Sequence, residues 1–188
     1  MDNHRRTKLL FFILVLLLIV QSCAGKKNTI PPKSAAPTTT HTKQFMRAGE
    51  YQKAIDAYDV EYRRHPQDQA LVKEYVKSIE EIKAVADKAS DREDFASAGS
   101  KYHILLKNYP RFKGFEKRLS FNSSHLNAKL SHCKLSLSKQ GFQEYRKGNL
   151  SGAIALWQAL LAIDPHNTEI KDALRTAKLQ QKNLQDRE

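Results

Sequence analysis

Residues that form turns are scarce in this sequence, which has only seven glycines and six prolines among its 188 residues. β-Sandwiches and β-barrels join many short strands through turns, so this scarcity argues against both architectures. From Arg47 onward Ala, Leu, Lys, Gln and Glu dominate instead, and these residues favour helices. The composition therefore predicts an all-α protein with one domain and accessory segments.

Cysteine is nearly absent as well, since Cys23 and Cys133 are the only two. A disulfide between them is conceivable, but it would tie an N-terminal leader to the domain interior and is not expected. Cys133 lies on a stripe of apolar residues with helical spacing. We therefore predict that Cys133 is a buried structural thiol and not a reactive one.

Motifs typical of common enzyme active sites are also missing. The chain contains no G-x-x-x-x-G-K-[ST], G-x-G-x-x-G, G-x-S-x-G or H-E-x-x-H sequence. His125 and His132 are two helical turns apart, about 10 Å along a helix, which is too far for them to share a metal ion. We expect no enzymatic activity, no metal, no small-molecule substrate and no cofactor.

Long apolar runs are limited to Leu9–Val20. As a helix this run spans roughly 18 Å, whereas the hydrocarbon core of a bilayer is about 30 Å thick. The run follows Arg5, Arg6 and Lys8. A basic start and a short apolar stretch are typical of a secretory signal peptide and not of a membrane-spanning helix.

The sequence VQSC at residues 20–23 ends this run and resembles the lipobox of bacterial lipoproteins. The resemblance implies that residues 1–22 are a signal peptide and that Cys23 becomes an acylated N-terminus, a stable lipid anchor. It also implies a location in the bacterial cell envelope, with Ala24 favouring an outer membrane site facing the periplasm. Two alternatives stay open: a signal peptide with a chance cysteine, and a short uncleaved anchor.

The segment that follows Cys23 is rich in proline and threonine and has no apolar periodicity. Such a composition predicts a semi-extended linker, so we assign residues 23–42 to the acylated cysteine and its tether. The alternative is an ordered arm packed on the domain. The helical domain is then predicted to occupy residues 43–188.

One pattern occurs three times in that domain, at residues 49–66, 93–110 and 148–165. A turn residue is followed at fixed intervals by an apolar residue, an alanine, a large aromatic and a proline. Glycine suits a tight turn between helices, the alanine allows close helix crossing, and proline ends the second helix. The matching positions are Gly49, Tyr51, Ala54, Tyr58 and Pro66; Glu93, Phe95, Ala98, Tyr102 and Pro110; and Gly148, Leu150, Ala153, Trp157 and Pro165.

At these positions the chain resembles the tetratricopeptide repeat (TPR) family. The resemblance implies an α-solenoid of antiparallel helix pairs, made irregular because the copies begin 44 and 55 residues apart, not 34. The extra residues predict a long helix over 68–89 and another within 111–147, after a short connector. Residues 168–185 are predicted to form a polar capping helix, with Asn167 as its N-cap.

TPR domains are protein-binding adaptors, so the resemblance implies a protein partner in the envelope. Lipoproteins similar in architecture include pilotins of type IV pili and the TPR lipoprotein of the outer-membrane β-barrel assembly machine. The first helix of each TPR pair lines the groove. By this resemblance the candidate partner-binding residues are Lys83, Phe142, Tyr145 and Arg146.

Basic residues are concentrated in one segment. The net charge is +12, and residues 101–147 contain eleven Lys and Arg but only Glu116 and Glu144 as acids. This segment is either a solvated helix face or, as an alternative function, a docking module for an anionic envelope polymer or lipid surface. Nucleic acid is not an expected partner, because an exported, lipid-anchored domain rarely meets it.

Overall fold

The computed structural model describes residues 36–186. Within this range the chain forms seven α-helices and two short 3-10 turns, and it contains no strand. The all-α prediction is therefore confirmed for the described part. The helices are α1 (Ala36–Arg47), α2 (Tyr51–Arg64), α3 (Gln69–Asp91), α4 (Phe95–Asn108), α5 (Ser123–Arg146), α6 (Leu150–Ile163) and α7 (Thr168–Gln185).

The three predicted turns have the same backbone conformation. Gly49, Glu93 and Gly148 have φ values of 73°, 59° and 79°. In each turn the next residue donates a backbone hydrogen bond to the carbonyl five residues earlier, with distances of 2.9, 2.9 and 3.0 Å. This is the Schellman arrangement that closes a helix C-terminus. Glu93 thus adopts the left-handed conformation that glycine adopts in the other two copies.

A helix of 14 residues follows each of these turns, namely α2, α4 and α6. The two later ones are capped, because Asp94 accepts a hydrogen bond from the Ser97 amide and Asn149 from the Gly152 amide, each at 3.1 Å. The predicted cap at the last helix is also confirmed, since Asn167 accepts from the Ile170 amide at 3.1 Å.

The predicted core positions of the pattern are buried. Each helix packs against the next in the chain, and α4 also contacts both α2 and α6. The aromatic residues Tyr58, Tyr102 and Trp157 are 2%, 0% and 1% exposed, and the three pattern alanines are buried beside them. The shared intervals therefore correspond to shared positions in the core.

Part of the segment predicted to be a tether is helical. Residues 36–42 were assigned to the tether, but they form the first half of α1, and Thr42 is fully buried. Pro37 falls in the first turn, where a missing backbone N–H removes no helical hydrogen bond. Residues 36–42 therefore agree with the alternative of an ordered arm.

Residues 1–35 lie outside the described range. The predicted signal peptide, Cys23 and the first part of the tether therefore have no structural description. Among the described helices, none combines the length and the apolar character needed to cross a membrane.

The two long helices occur as predicted, and α3 starts with the Asp68 side chain accepting from the Ala70 and Leu71 amides. Residues 109–122, which we call the insert, connect α4 to α5 through the 3-10 turns Tyr109–Phe112 and Glu116–Arg118. The polar cap α7 is also present, with only Ile170 and Ala177 buried.

Candidate partner-binding surface

The four predicted groove residues occupy two separate settings. Lys83 lies in the second half of α3, whereas Phe142, Tyr145 and Arg146 lie in the last turns of α5. Within the described residues, no hydrogen bond, ion pair or ring contact joins Lys83 to the other three. Lys83 and the three residues of α5 therefore have separate neighbours.

Lys83 belongs to a half-buried polar network. Its Nζ donates to Asp87 Oδ2 at 2.6 Å, and the Tyr102 hydroxyl donates to Asp87 Oδ1 at 2.5 Å. Burial alone would raise the pKa of Asp87, but the hydrogen bonds from Lys83 and Tyr102 outweigh it and lower that pKa. Burial, followed by the neighbouring Asp87, raises the pKa of Tyr102. The ammonium of Lys83 is therefore satisfied inside the protein.

Phe142 and Tyr145 flank Trp157. Their ring centroids lie 5.1 and 5.7 Å from that of the indole. The indole also lies directly on the backbone of Gly141, where an added Cβ would come 2.3 Å from Trp157 Nε1. This nitrogen is the one buried side-chain polar atom without a hydrogen-bond partner among the described residues. Phe142 is thus mainly a packing residue.

Tyr145 also faces a cavity between the α5–α6 turn and α7, which we call the terminal pocket. The pocket has a volume of about 490 Å³. It is lined by Tyr145, Gly148, Leu150, Gln180, Asn183 and Leu184. Lys83, Phe142 and Arg146 do not line it. Of the four predicted residues, only Tyr145 reaches this cavity.

The lining combines polar and apolar side chains. Among the described residues, no hydrogen bond involves the hydroxyl of Tyr145 or the side-chain amides of Gln180 and Asn183, which are exposed. Each side-chain amide offers both a donor and an acceptor, as a peptide group does. Leu184 is 56% exposed at the rim. The six lining residues include no carboxylate, imidazole, amine or thiol.

Sequence reasoning missed the α7 half of this pocket because that helix was interpreted only as a polar cap. Leucines at 179 and 184 interrupt the polar run of α7 and are exposed by 59% and 56%. Single exposed apolar residues are common on protein surfaces, so the sequence carried no signal that would single out Leu184.

Two other candidate side chains, Cys133 and His132, lie outside the terminal pocket. Cys133 is fully buried, as predicted, and burial raises the pKa of its thiol. The ring of His132 packs edge-on against Phe95 at 5.4 Å. In residues 36–186 no three His, Cys, Asp or Glu side chains are grouped so as to bind a metal ion.

No family model matches the chain, and no curated protein and no solved structure matches it either.

Proposed function

We propose that this protein is a lipid-anchored adaptor of the bacterial cell envelope that binds a partner polypeptide in the terminal pocket. On this proposal the helices form an irregular TPR-like α-solenoid. The proposal is supported by three 14-residue helices that follow identical left-handed turns and bury the same alanine and aromatic positions. Such solenoids bind peptides or helices without chemistry.

The terminal pocket is the observation that carries the binding role. Its volume of about 490 Å³ is within the ~300–1,000 Å³ range typical of ligand sites. Two amides without internal partners can pair with the backbone of an extended segment. Leu150 and Leu184 provide an apolar wall for one of its aliphatic side chains. The occupant we propose is therefore an extended segment of another protein that carries an aliphatic residue.

The proposed anchor places this pocket near a membrane. Twelve residues separate Cys23 from the start of α1 at Ala36. Fully extended, this stretch reaches roughly 45 Å. A Cys23→Ala variant tests the anchor by metabolic labelling with a fatty acid, and label retained on the variant contradicts acylation at this site.

The binding role is tested by cross-linking in membranes with a matched pair of α7 variants. Leu184→Asp places a charge in the pocket, whereas Leu179→Asp changes an equally exposed leucine that does not line it. We expect one cross-linked partner to be lost with Leu184→Asp and retained with Leu179→Asp. Equal capture by both variants would contradict the assignment to the pocket.

A further inference from the structure

The structure divides the cations of segment 101–147 into paired and unpaired groups. Arg111, Lys134 and Lys147 form ion pairs with acids of the same chain. Lys113, Lys117 and Arg118 are exposed, and within the described residues their side chains make no ion pair or hydrogen bond. All three lie in the insert, within six consecutive residues. Other cations of the segment also have no ion pair or side-chain hydrogen bond among the described residues, namely Lys107, Lys129, Lys139 and Arg146, but they are spread along α4 and α5. The insert is therefore distinguished by how closely its three unpaired cations follow one another.

Buried aromatic side chains attach the insert to the rest of the domain. Phe112 and Phe115 are 0% and 4% exposed. The Phe115 ring packs 5.3 Å from Tyr62 and 5.0 Å from Tyr75. Such aromatic pairs each contribute roughly 0.5–1.5 kcal/mol beyond their buried area. The three exposed cations thus lie in a loop whose phenylalanine rings are buried in the domain.

Polar contacts fix both ends of the insert. Arg111 donates to Asp56 at 2.6 Å and to Asp59 at 2.8 Å. The amide and hydroxyl of Ser120 donate to the two carboxylate oxygens of Glu80, at 2.6 and 2.7 Å. Of the acids that bond to the insert, Asp56 and Asp59 are engaged by Arg111 and Glu80 by Ser120, and Glu116 within it is half-buried. They leave the loop with a net positive charge.

The form of this surface indicates what it binds. None of its three phenylalanines is exposed, and the half-buried Tyr109 packs against Phe112 and Phe121, so no fully exposed ring is offered for stacking on nucleic-acid bases. The terminal pocket is elsewhere, between α5, α6 and α7. Exposed ammonium and guanidinium groups within six residues of one loop match an anionic surface by charge.

We propose that the insert docks the domain on the anionic phospholipid headgroups of a membrane. The inference rests on the proposed function, because the anchor at Cys23 keeps the domain within roughly 45 Å of a bilayer surface. Lipid is the occupant we name because it is the anionic surface to which such an anchor already holds the protein. Each cation near an anionic leaflet contributes roughly fivefold in binding, so three contribute on the order of 100-fold.

Lysine footprinting of the full chain in vesicles tests the docking. The protein is reconstituted in vesicles of phosphatidylcholine alone or with 30% phosphatidylglycerol (about the anionic content at which such attraction is felt), and its lysines are acetylated briefly. We expect modification of Lys113 and Lys117 to fall at least fivefold on the anionic vesicles and to recover at high salt. Exposed Lys139 and Lys178 are the internal controls. Equal modification of the insert on both vesicles would overturn the proposal.

Two further arms separate this inference from the proposed anchor and from other anions. Neutral vesicles do not attract the insert, so co-flotation of the chain with them measures binding by the N-terminal anchor alone. A chain that does not float with neutral vesicles contradicts the anchor. Docking by the insert is still tested in that case by the dependence of the lysine footprint on lipid charge. A K113E/R118E variant changes only exposed side chains, and modification of its remaining Lys117 should become independent of lipid charge. Protection of the insert by soluble polyphosphate but not by vesicles would overturn the assignment to lipid.

Discussion

The contact between α2 and α4 and the contact between α4 and α6 occupy equivalent places in successive copies of the pattern, but they differ in chemistry. The first is polar: Gln52 on α2 exchanges hydrogen bonds with Asn108 at 2.8 and 3.3 Å. The second is apolar: Gly99 on α4 lies so close to Ile163 that an added Cβ would come 2.8 Å from its Cδ1. One fold position thus accepts two different ways of joining helices.

The difference arises from the residues that surround each contact. Arg111, which follows α4, donates two hydrogen bonds to Asp59, whose side chain is only 4% exposed. A buried carboxylate is stable only where such partners are present. The second contact contains no comparable charge, and a single ion pair between Lys134 and Asp164 at 3.2 Å lies at its edge. The polar contact therefore depends on a partner for each buried charge, and the apolar contact depends on the close approach of the two helices.

Removing Arg111 is expected to have the largest effect. Arg111→Ala leaves Asp59 buried with only Arg63, which is 70% exposed, as its partner. We expect the free energy of unfolding to fall by about 3 kcal/mol, the lower end of the cost of breaking a buried pair. Lys134→Ala at the apolar contact is the matched control and should cost below about 1 kcal/mol, because that pair is a third exposed. Urea denaturation measures both. Equal costs would remove the distinction between the two contacts.

Replacing Gly141 or Gly99 by alanine is expected to have the next largest effect on stability. An alanine Cβ at Gly141 would lie within 2.9 Å of three atoms of the Trp157 ring, which cannot bend away. Overpacking of this kind costs about 1–3 kcal/mol. At Gly99 the nearest atom is the flexible end of Ile163, so Gly99→Ala should cost less, about 1 kcal/mol at most. A larger loss at Gly99 than at Gly141, measured by thermal unfolding, would contradict this order.

Regular intervals were the part of the fold that sequence reasoning could predict. Three requirements recur at the same separations, so comparing the sequence with itself finds them. The turn needs a residue in the left-handed conformation, the close helix crossing needs alanine, and the groove between helices needs a large ring. The start of α1 was missed because threonine and proline are poor helix formers, and the packing that buries Thr42 overrides their propensity.

The buried rings of the insert and the terminal pocket were missed for a different reason. Phe112 and Phe115 have a helical spacing, but Phe121 does not continue it, so no sustained periodicity marks the three as buried. The pocket joins Leu150 to Leu184, residues that are distant in the chain and meet only through the tertiary packing of α7. Tyr145, which lines the pocket, was a candidate only because it lies on the predicted first helix of a pair.

A substitution at Glu93 tests whether the second turn, like the other two, favours glycine, and its expected effect on stability is smaller. It has a φ of 59° where the other copies have glycine, and a side chain in this conformation costs roughly 1–2 kcal/mol. Part of this is offset because glycine loses more entropy on folding. Glu93→Gly should therefore stabilise the protein by about 0.5–1 kcal/mol, whereas Gly49→Ala and Gly148→Ala should destabilise it. A lower melting temperature for Glu93→Gly would show that the Glu93 side chain has a stabilising contact.

Mild acid is expected to have the smallest effect on the free energy of unfolding, and to act through His103 on α4. Burial lowers the pKa of His103, and the charges of Lys107 and Lys134 lower it further. As the pH falls below the unfolded value of about 6.5, the unfolded chain takes up the proton first, so stability is lost until the folded histidine also protonates. Asp87, whose pKa is lowered by Lys83 and Tyr102 despite its burial, contributes in the same direction only in stronger acid.

The His103 contribution is isolated by comparing His103→Gln with the unaltered chain between pH 7.5 and 5. The substitution should flatten the fall in the free energy of unfolding over this range. If the variant keeps the slope of the unaltered chain, the histidine on α4 does not couple folding to pH. Mild acid would then not distinguish the two contacts, which would differ only in polarity and packing.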